Sequence, residues 1–211
     1  MSNDNMEKII ERWGARLAAM PTRAPEEETG VDRYQQQLRI DGSGMPKRHR
    51  LTAPSPAQGW SEAYAKLEPI IDQGCLVLCC GKRGRGKTQL GCELMKKAAE
   101  TMTVHYTTLF GLSQKFKATW DDRTKTEASV MADYRRHRFL VIDEVGKVPQ
   151  GDWLMGILFE LCDQRYRDMT STLLISNHDR AALATELGAS IADRANETGG
   201  VIDASNWEGQ R

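Results

Sequence analysis

The stretch Gly81-Lys82-Arg83-Gly84-Arg85-Gly86-Lys87-Thr88 constrains the fold more than any other part of the chain. An apolar run, Cys75-Leu76-Val77-Leu78-Cys79-Cys80, leads into it, and a helical pattern begins near Lys87. The spacing G-x-x-x-x-G-K-[ST] between a strand and a helix is that of a phosphate-cradling loop. Glycines let the backbone curl until successive N–H groups face one anion, and the helix N-terminus adds partial positive charge. In such a loop Lys87 reaches the β- and γ-phosphates of ATP, and the Thr88 hydroxyl ligates Mg²⁺. The nucleotide-binding candidates are therefore Gly81, Lys82, Arg83, Gly84, Arg85, Gly86, Lys87, Thr88 and Gln89. The competing account is a glycine-rich turn carrying a stray lysine.

With 211 residues the chain can bury one substantial core and carry an appendage. Its 29 basic and 29 acidic residues cancel, so a nucleic-acid surface has to be a local patch and not a global field. No run approaches the ~18 apolar residues of a membrane span, and the polar start lacks a signal peptide, which points to the cytoplasm and no membrane partner. Cys75, Cys79, Cys80, Cys92 and Cys162 lie in or near apolar patterns without a C-x-x-C pair, as buried reduced thiols do. The four histidines are too scattered for metal spacing.

Ser2 to Asn5 offers caps for a helix with Met6, Ile9, Ile10, Trp13 and Leu17 on one face, ended by Pro21. That helix can dock on its own domain or hold a partner. A second helical pattern runs through Val31, Tyr34, Leu38 and Ile40, and the Gly-, Pro- and Ser-rich stretch up to Gly59 reads as a linker. The expected organisation is a helical partner-binding segment over 1–42, a linker over 43–59 and an ATPase domain over 60–211. From Trp60 onward, strands alternate with helices. Strands are expected at Cys75–Cys80, Thr103–Thr108, Phe139–Ile142, Thr172–Ile175 and Val201–Ala204, and Pro69 should end the first helix early. The pattern predicts an α/β fold: a parallel sheet covered by helices on both faces.

Two strands deliver polar residues to the sheet edge that holds the phosphate loop. Phe139-Leu140-Val141-Ile142 ends in Asp143-Glu144, which places Asp143 to hold Mg²⁺ through its water shell and Glu144 to polarise an attacking water. Thr172-Leu173-Leu174-Ile175 ends in Ser176-Asn177. Asn177 either meets the γ-phosphate or forms a turn before Asp179 caps the next helix.

The order of phosphate loop, LVIDE, LLISN, Ala192-Asp193-Arg194 and Asn206-Trp207 resembles the AAA+ ATPases. Within them it looks like the bacterial helicase loaders of the DnaC type and the related IstB-type transposition helpers. Ser43-Gly44-Met45-Pro46-Lys47-Arg48, Phe159-Glu160 and Arg165-Tyr166 are similar to further family segments. The resemblance covers residues 43 to 211. It implies a three-layer αβα domain with five strands ordered 5-1-4-3-2, ATP-dependent self-association, and an arginine finger that best matches Arg194, whose plainer role is a surface charge. It leaves no room for a full lid domain, and Arg211 is the residue available as a second sensing arginine.

The resemblance also implies single-stranded DNA binding after the second strand. Lys115, Lys117, Trp120 and Arg123 interleave cations with an aromatic there, in the manner of a strand-tracking groove. Phe116 sits at core spacing with Leu109 and Leu112. Arg135-Arg136-His137-Arg138 reads first as a solvated helix end and second as a contact, and Lys47-Arg48-His49-Arg50 in the linker is a patch of the same kind. The expected function is an ATPase that loads a replicative DNA helicase. The alternative is a transposition helper on duplex DNA, and a small-molecule kinase would need an acceptor pocket and an arginine-rich lid that the sequence lacks.

Overall fold

In the computed structural model the described residues are 30–52, 58–122, 124–146 and 151–207. All but Gly30 belong to the compact unit Val31–Arg211. The expected helix around Trp13 lies outside them, as do Arg123 and Arg211.

Five parallel strands form one sheet: β1 (Leu76–Cys80), β2 (Val104–Thr108), β3 (Phe139–Val145), β4 (Ser171–Ser176) and β5 (Gly200–Asp203). Their order, β2-β3-β4-β1-β5, is the expected 5-1-4-3-2 read from the other edge. Side chains alternate across each strand, so the sheet feeds two cores. On one face Val77, Cys79, Tyr106, Val141, Leu173 and Ile175 meet α3 (Gln58–Leu67) and α4 (Lys87–Ala98), the phosphate-loop helix. On the other, Leu76, Leu78, Leu140, Ile142 and Leu174 meet α5 (Leu109–Asp121), α6 (Glu127–Arg135), α7 (Asp152–Arg167) and α8 (Arg180–Thr198). Helices on both faces explain why the strands read as unbroken apolar runs. All five cysteines are buried and free, Phe116 is buried, and α3 stops at Leu67 before the 3-10 turn that contains Pro69.

The helical pattern expected through Val31 and Ile40 is present, and the first part of the expected linker, 43–52, is packed and partly helical. Together they hold α1 (Gly30–Asp41) and α2 (Lys47–Leu51), and they are strapped along α4. Arg39 donates to the carbonyls of Ala99 and Glu100, both at 2.8 Å, and Gln36 to that of Lys96, at the C-terminal end of α4. Ser43 and Met45 are buried, and the Tyr106 N–H donates to the Ser43 carbonyl at 2.7 Å. At the other end of α4 His49 shares a hydrogen with Gln89 at 2.5 Å. Gly44 has φ 78°, and a Cβ there would stand 2.6 Å from the Tyr106 carbonyl oxygen. Its glycine serves close approach, not slack.

Candidate nucleotide site

The loop between β1 and α4 curls as its glycines require, with φ of 118° at Gly81, 75° at Gly84 and 85° at Gly86. Lys87 opens α4 and is buried, and its ammonium turns back into the loop. It donates to the carbonyls of Gly81 (2.6 Å) and Lys82 (2.8 Å) and to Oδ1 of Asn177 (3.1 Å). Burial pulls it below the ordinary lysine range, although Cys79 and Asp143 oppose that pull. A cation held only by neutral oxygens in a concave loop is suited to exchange them for phosphate oxygens.

Beside it, the Thr88 hydroxyl donates to Oδ2 of Asp143 at 2.7 Å. The two form a pair of hard oxygen donors of the kind that Mg²⁺ takes. Asp143 and Glu144 sit where β3 loses its regular pairing with β4, between Ile142 and Val145. Glu144 has φ 60°, a left-handed conformation that a glutamate adopts rarely. A bulge of this kind re-aims a side chain next to a site. Asn177 follows β4 at the same sheet edge. With Lys82, Arg83, Val145, Gly146 and His178 it lines a cavity of about 450 Å³. Asp179 caps α8 by accepting from the Ala182 N–H, so the turn role and the lysine contact of Asn177 coexist. Gln89 is buried and turned toward His49, Glu93 and the Thr52 carbonyl. Arg85 donates to the Trp207 carbonyl and thereby ties the loop to the segment after β5.

Three neighbours of the loop were not among the expected residues. The Tyr106 hydroxyl donates to Oδ2 of Asp143 at 2.9 Å. The Trp60 indole donates to the Gly86 carbonyl at 3.2 Å. The His178 carbonyl accepts from the Gly81 N–H at 2.8 Å. Tyr106 carried a usable signal, a polar-tipped aromatic inside the strand next to the acidic one. Trp60 and His178 reach the loop by packing that local sequence does not encode.

Arg194 stands apart from this cluster. It lies on α8, donates to Asp163 of α7 and to Ser190, and stacks on Tyr166 with 5.4 Å from guanidinium to ring centroid. With Phe159, Leu187 and Gly188 it lines a second cavity of about 400 Å³. Lys115 and Lys117 are exposed on α5. Trp120 is 62% exposed and pairs with Trp153, ring centroids 5.1 Å apart. Among the described residues no helix is long and apolar enough to cross a membrane.

The chain was compared with known proteins. The DnaC helicase loader structure aligns over 78% of this chain and 98% of its own, with TM-score 0.61 and 17% identity. The DnaI structure aligns over 76% and 95%, with TM-score 0.62 and 17% identity. Domain III of the replication initiation protein DnaA from Thermotoga maritima aligns over 72% and 65%, with TM-score 0.61 and 19% identity. These likenesses show a shared three-layer α/β fold. In sequence, the uncharacterized protein YdaV of Escherichia coli (strain K12) is 27% identical over 194 residues, which is 86% of this chain and 78% of that protein. The family model for the IstB-like ATP binding protein matches residues 60–195. That span contains the phosphate loop, both strand-end acids and Asn177, and the chain belongs to the IstB-like ATP-binding family.

Proposed function

We propose that the chain is an ATP-driven loader of a replicative DNA helicase, one that self-associates on ATP and holds single-stranded DNA. The observation that carries the reading is the convergence of Lys87, Thr88, Asp143, Glu144 and Asn177 on one sheet edge. On this reading the β- and γ-phosphates of ATP take the place of the carbonyls now held by Lys87. Thr88 and Asp143 hold Mg²⁺, which supplies charge neutralisation between the phosphates. Glu144 orients the attacking water and accepts its proton, and Asn177 reports on the γ-phosphate through its contact with Lys87. Arg194 reaches the nucleotide of a neighbouring copy. The exposed Lys115, Lys117 and Trp120, with Arg123, contact the DNA strand, and the segment before the ATPase domain grips the helicase. The helicase-loader folds of the DnaC and DnaI neighbours support this reading.

The family match supports a second reading, a transposition helper on duplex DNA. Co-elution with the replicative helicase of the source organism, in ATP, separates the two. Because Ile40, Ser43 and Met45 belong to the core, the truncation to run beside the full chain removes 1–29 and no more. Co-elution lost on truncation is the expected result. If neither form co-elutes and the chain instead coats duplex DNA, the second reading replaces the first.

A further inference from the structure

We infer that Tyr106 is a positioning residue for the metal half of the site: its hydroxyl fixes the Asp143 carboxylate in the orientation that Mg²⁺ requires. The inference rests on the reading of Asp143 as a metal-holding residue.

Asp143 is buried, and three donors meet its carboxylate. Thr88 Oγ1 at 2.7 Å and Tyr106 Oη at 2.9 Å donate to Oδ2, and the Glu144 N–H donates to Oδ1 at 2.6 Å. An ionised carboxylate offers about four acceptor positions. Among the described residues two donors fill Oδ2 and one meets Oδ1, which leaves Oδ1 the oxygen with capacity to face the hydration shell of a metal. Which oxygen keeps that capacity is decided by the donors. The backbone cannot decide it alone, because β3 is bulged here and its pairing with β4 is interrupted between Ile142 and Val145. Thr88 belongs to the phosphate-loop helix and the Glu144 N–H to the bulge itself, the two parts that line the nucleotide site. Tyr106 belongs to neither.

Tyr106 is held from two sides. On β2 it is paired with Val141, two residues before Asp143, so its ring runs along the sheet to reach the carboxylate. Its own N–H is anchored to the Ser43 carbonyl in the strap, and its ring is buried in the core under α4. A phenol is an O–H donor at neutral pH. Phenylalanine would fill the same core volume and remove only the donor, which makes Tyr106→Phe a clean probe.

The test is the affinity of the full chain for a fluorescent, non-hydrolysable ATP analogue, measured in EDTA and in excess Mg²⁺. The ratio of the two dissociation constants reports metal coupling without any turnover. Asp143→Asn should bring the ratio close to one. Tyr106→Phe should leave the EDTA constant unchanged and lower the ratio roughly tenfold to a hundredfold, the worth of one hydrogen bond to a charged group. Two results overturn the inference: a Tyr106→Phe ratio equal to that of the native chain, or a loss of affinity in EDTA as large as that in Mg²⁺, which would make Tyr106 a packing residue. A native chain whose ratio is already one would instead remove Asp143 from metal binding, and the inference with it.

Discussion

At the scale of single residues, the site depends on a backbone that departs from regular structure at one point. Glu144 has φ 60° on the β3 bulge, and a non-glycine residue held there costs about 1–2 kcal/mol. Such strain survives where the surrounding structure over-determines it, and in the proposed ATPase Glu144 is the residue that meets the attacking water. Two consequences can be measured. Glu144→Gln should keep ATP binding and lose ~10²–10⁴ in steady-state turnover; unchanged turnover would remove Glu144 from the chemistry. Glu144→Gly should unfold at a higher denaturant midpoint than Glu144→Ala, by about 1 kcal/mol, because glycine relieves the left-handed conformation. The acids themselves were legible in the sequence, since an apolar strand ending in Asp143-Glu144 places them at the sheet edge. The bulge was not. No glycine marks it, and the residue that takes the positive φ is the proposed water-orienting glutamate. Tyr106 is legible only in part: its polar tip shows in the sequence, but its partner lies on the next strand, and register is a tertiary property.

At the scale of elements, alternation of apolar strands with amphipathic helices predicts the parallel sheet, while its strand order is what the AAA+ resemblance implies; the helical pattern over Val31 to Ile40 is present as α1, and the stretch after it packs more closely than a linker does. Gly44, Pro46 and Ser43 look like slack chain by composition, yet Ser43 is buried against β2 and Gly44 is where the strap crosses closest to Tyr106. Composition reports conformational permissiveness, and permissive residues also serve tight packing. A second element-level feature, the role of Arg165, was likewise hidden. Its side chain is fully buried on α7 and donates to Thr172 Oγ1 and to the carbonyls of Tyr134, Arg135, His137 and Ser171. It thereby satisfies the last carbonyls of α6 and pins the approach to β3 against the start of β4. Burial lowers its guanidinium to about 10, which still leaves it a full cation at neutral pH. Lysine carries the charge but lacks the planar fork that reaches acceptors on two sides. Arg165→Lys and Arg165→Ala should both destabilise, the alanine form by on the order of 4 kcal/mol, because several buried carbonyls lose their donor together. Equilibrium unfolding in urea would read the difference. A loss below about 1 kcal/mol for Arg165→Ala would mean that water replaces the guanidinium.

At the scale of the whole molecule, one chain assembles five of the proposed ATPase residues and leaves the sixth elsewhere. Lys87, Thr88, Asp143, Glu144 and Asn177 share the phosphate-loop edge, whereas Arg194 lines the other cavity, between α7 and α8, where Asp163 and Ser190 hold it. If Arg194 acts on ATP, it acts on the ATP of another copy, and a lone chain hydrolyses slowly. Turnover per chain should therefore rise with protein concentration. An arginine supplied in trans is worth ~10³–10⁵ in rate, so Arg194→Ala alone should be nearly inactive even where ATP binding is intact. Lys87→Ala alone should be inactive for a different reason, because its own loop no longer holds nucleotide. Mixed, the two variants complement. The intact Arg194 of the Lys87→Ala chain meets the intact loop of the Arg194→Ala chain, and a fraction of turnover returns with a maximum at an intermediate mixing ratio. Absence of recovery at every ratio, with both variants folded and the native chain active, would make Arg194 a structural partner of Asp163 and Tyr166 within its own chain.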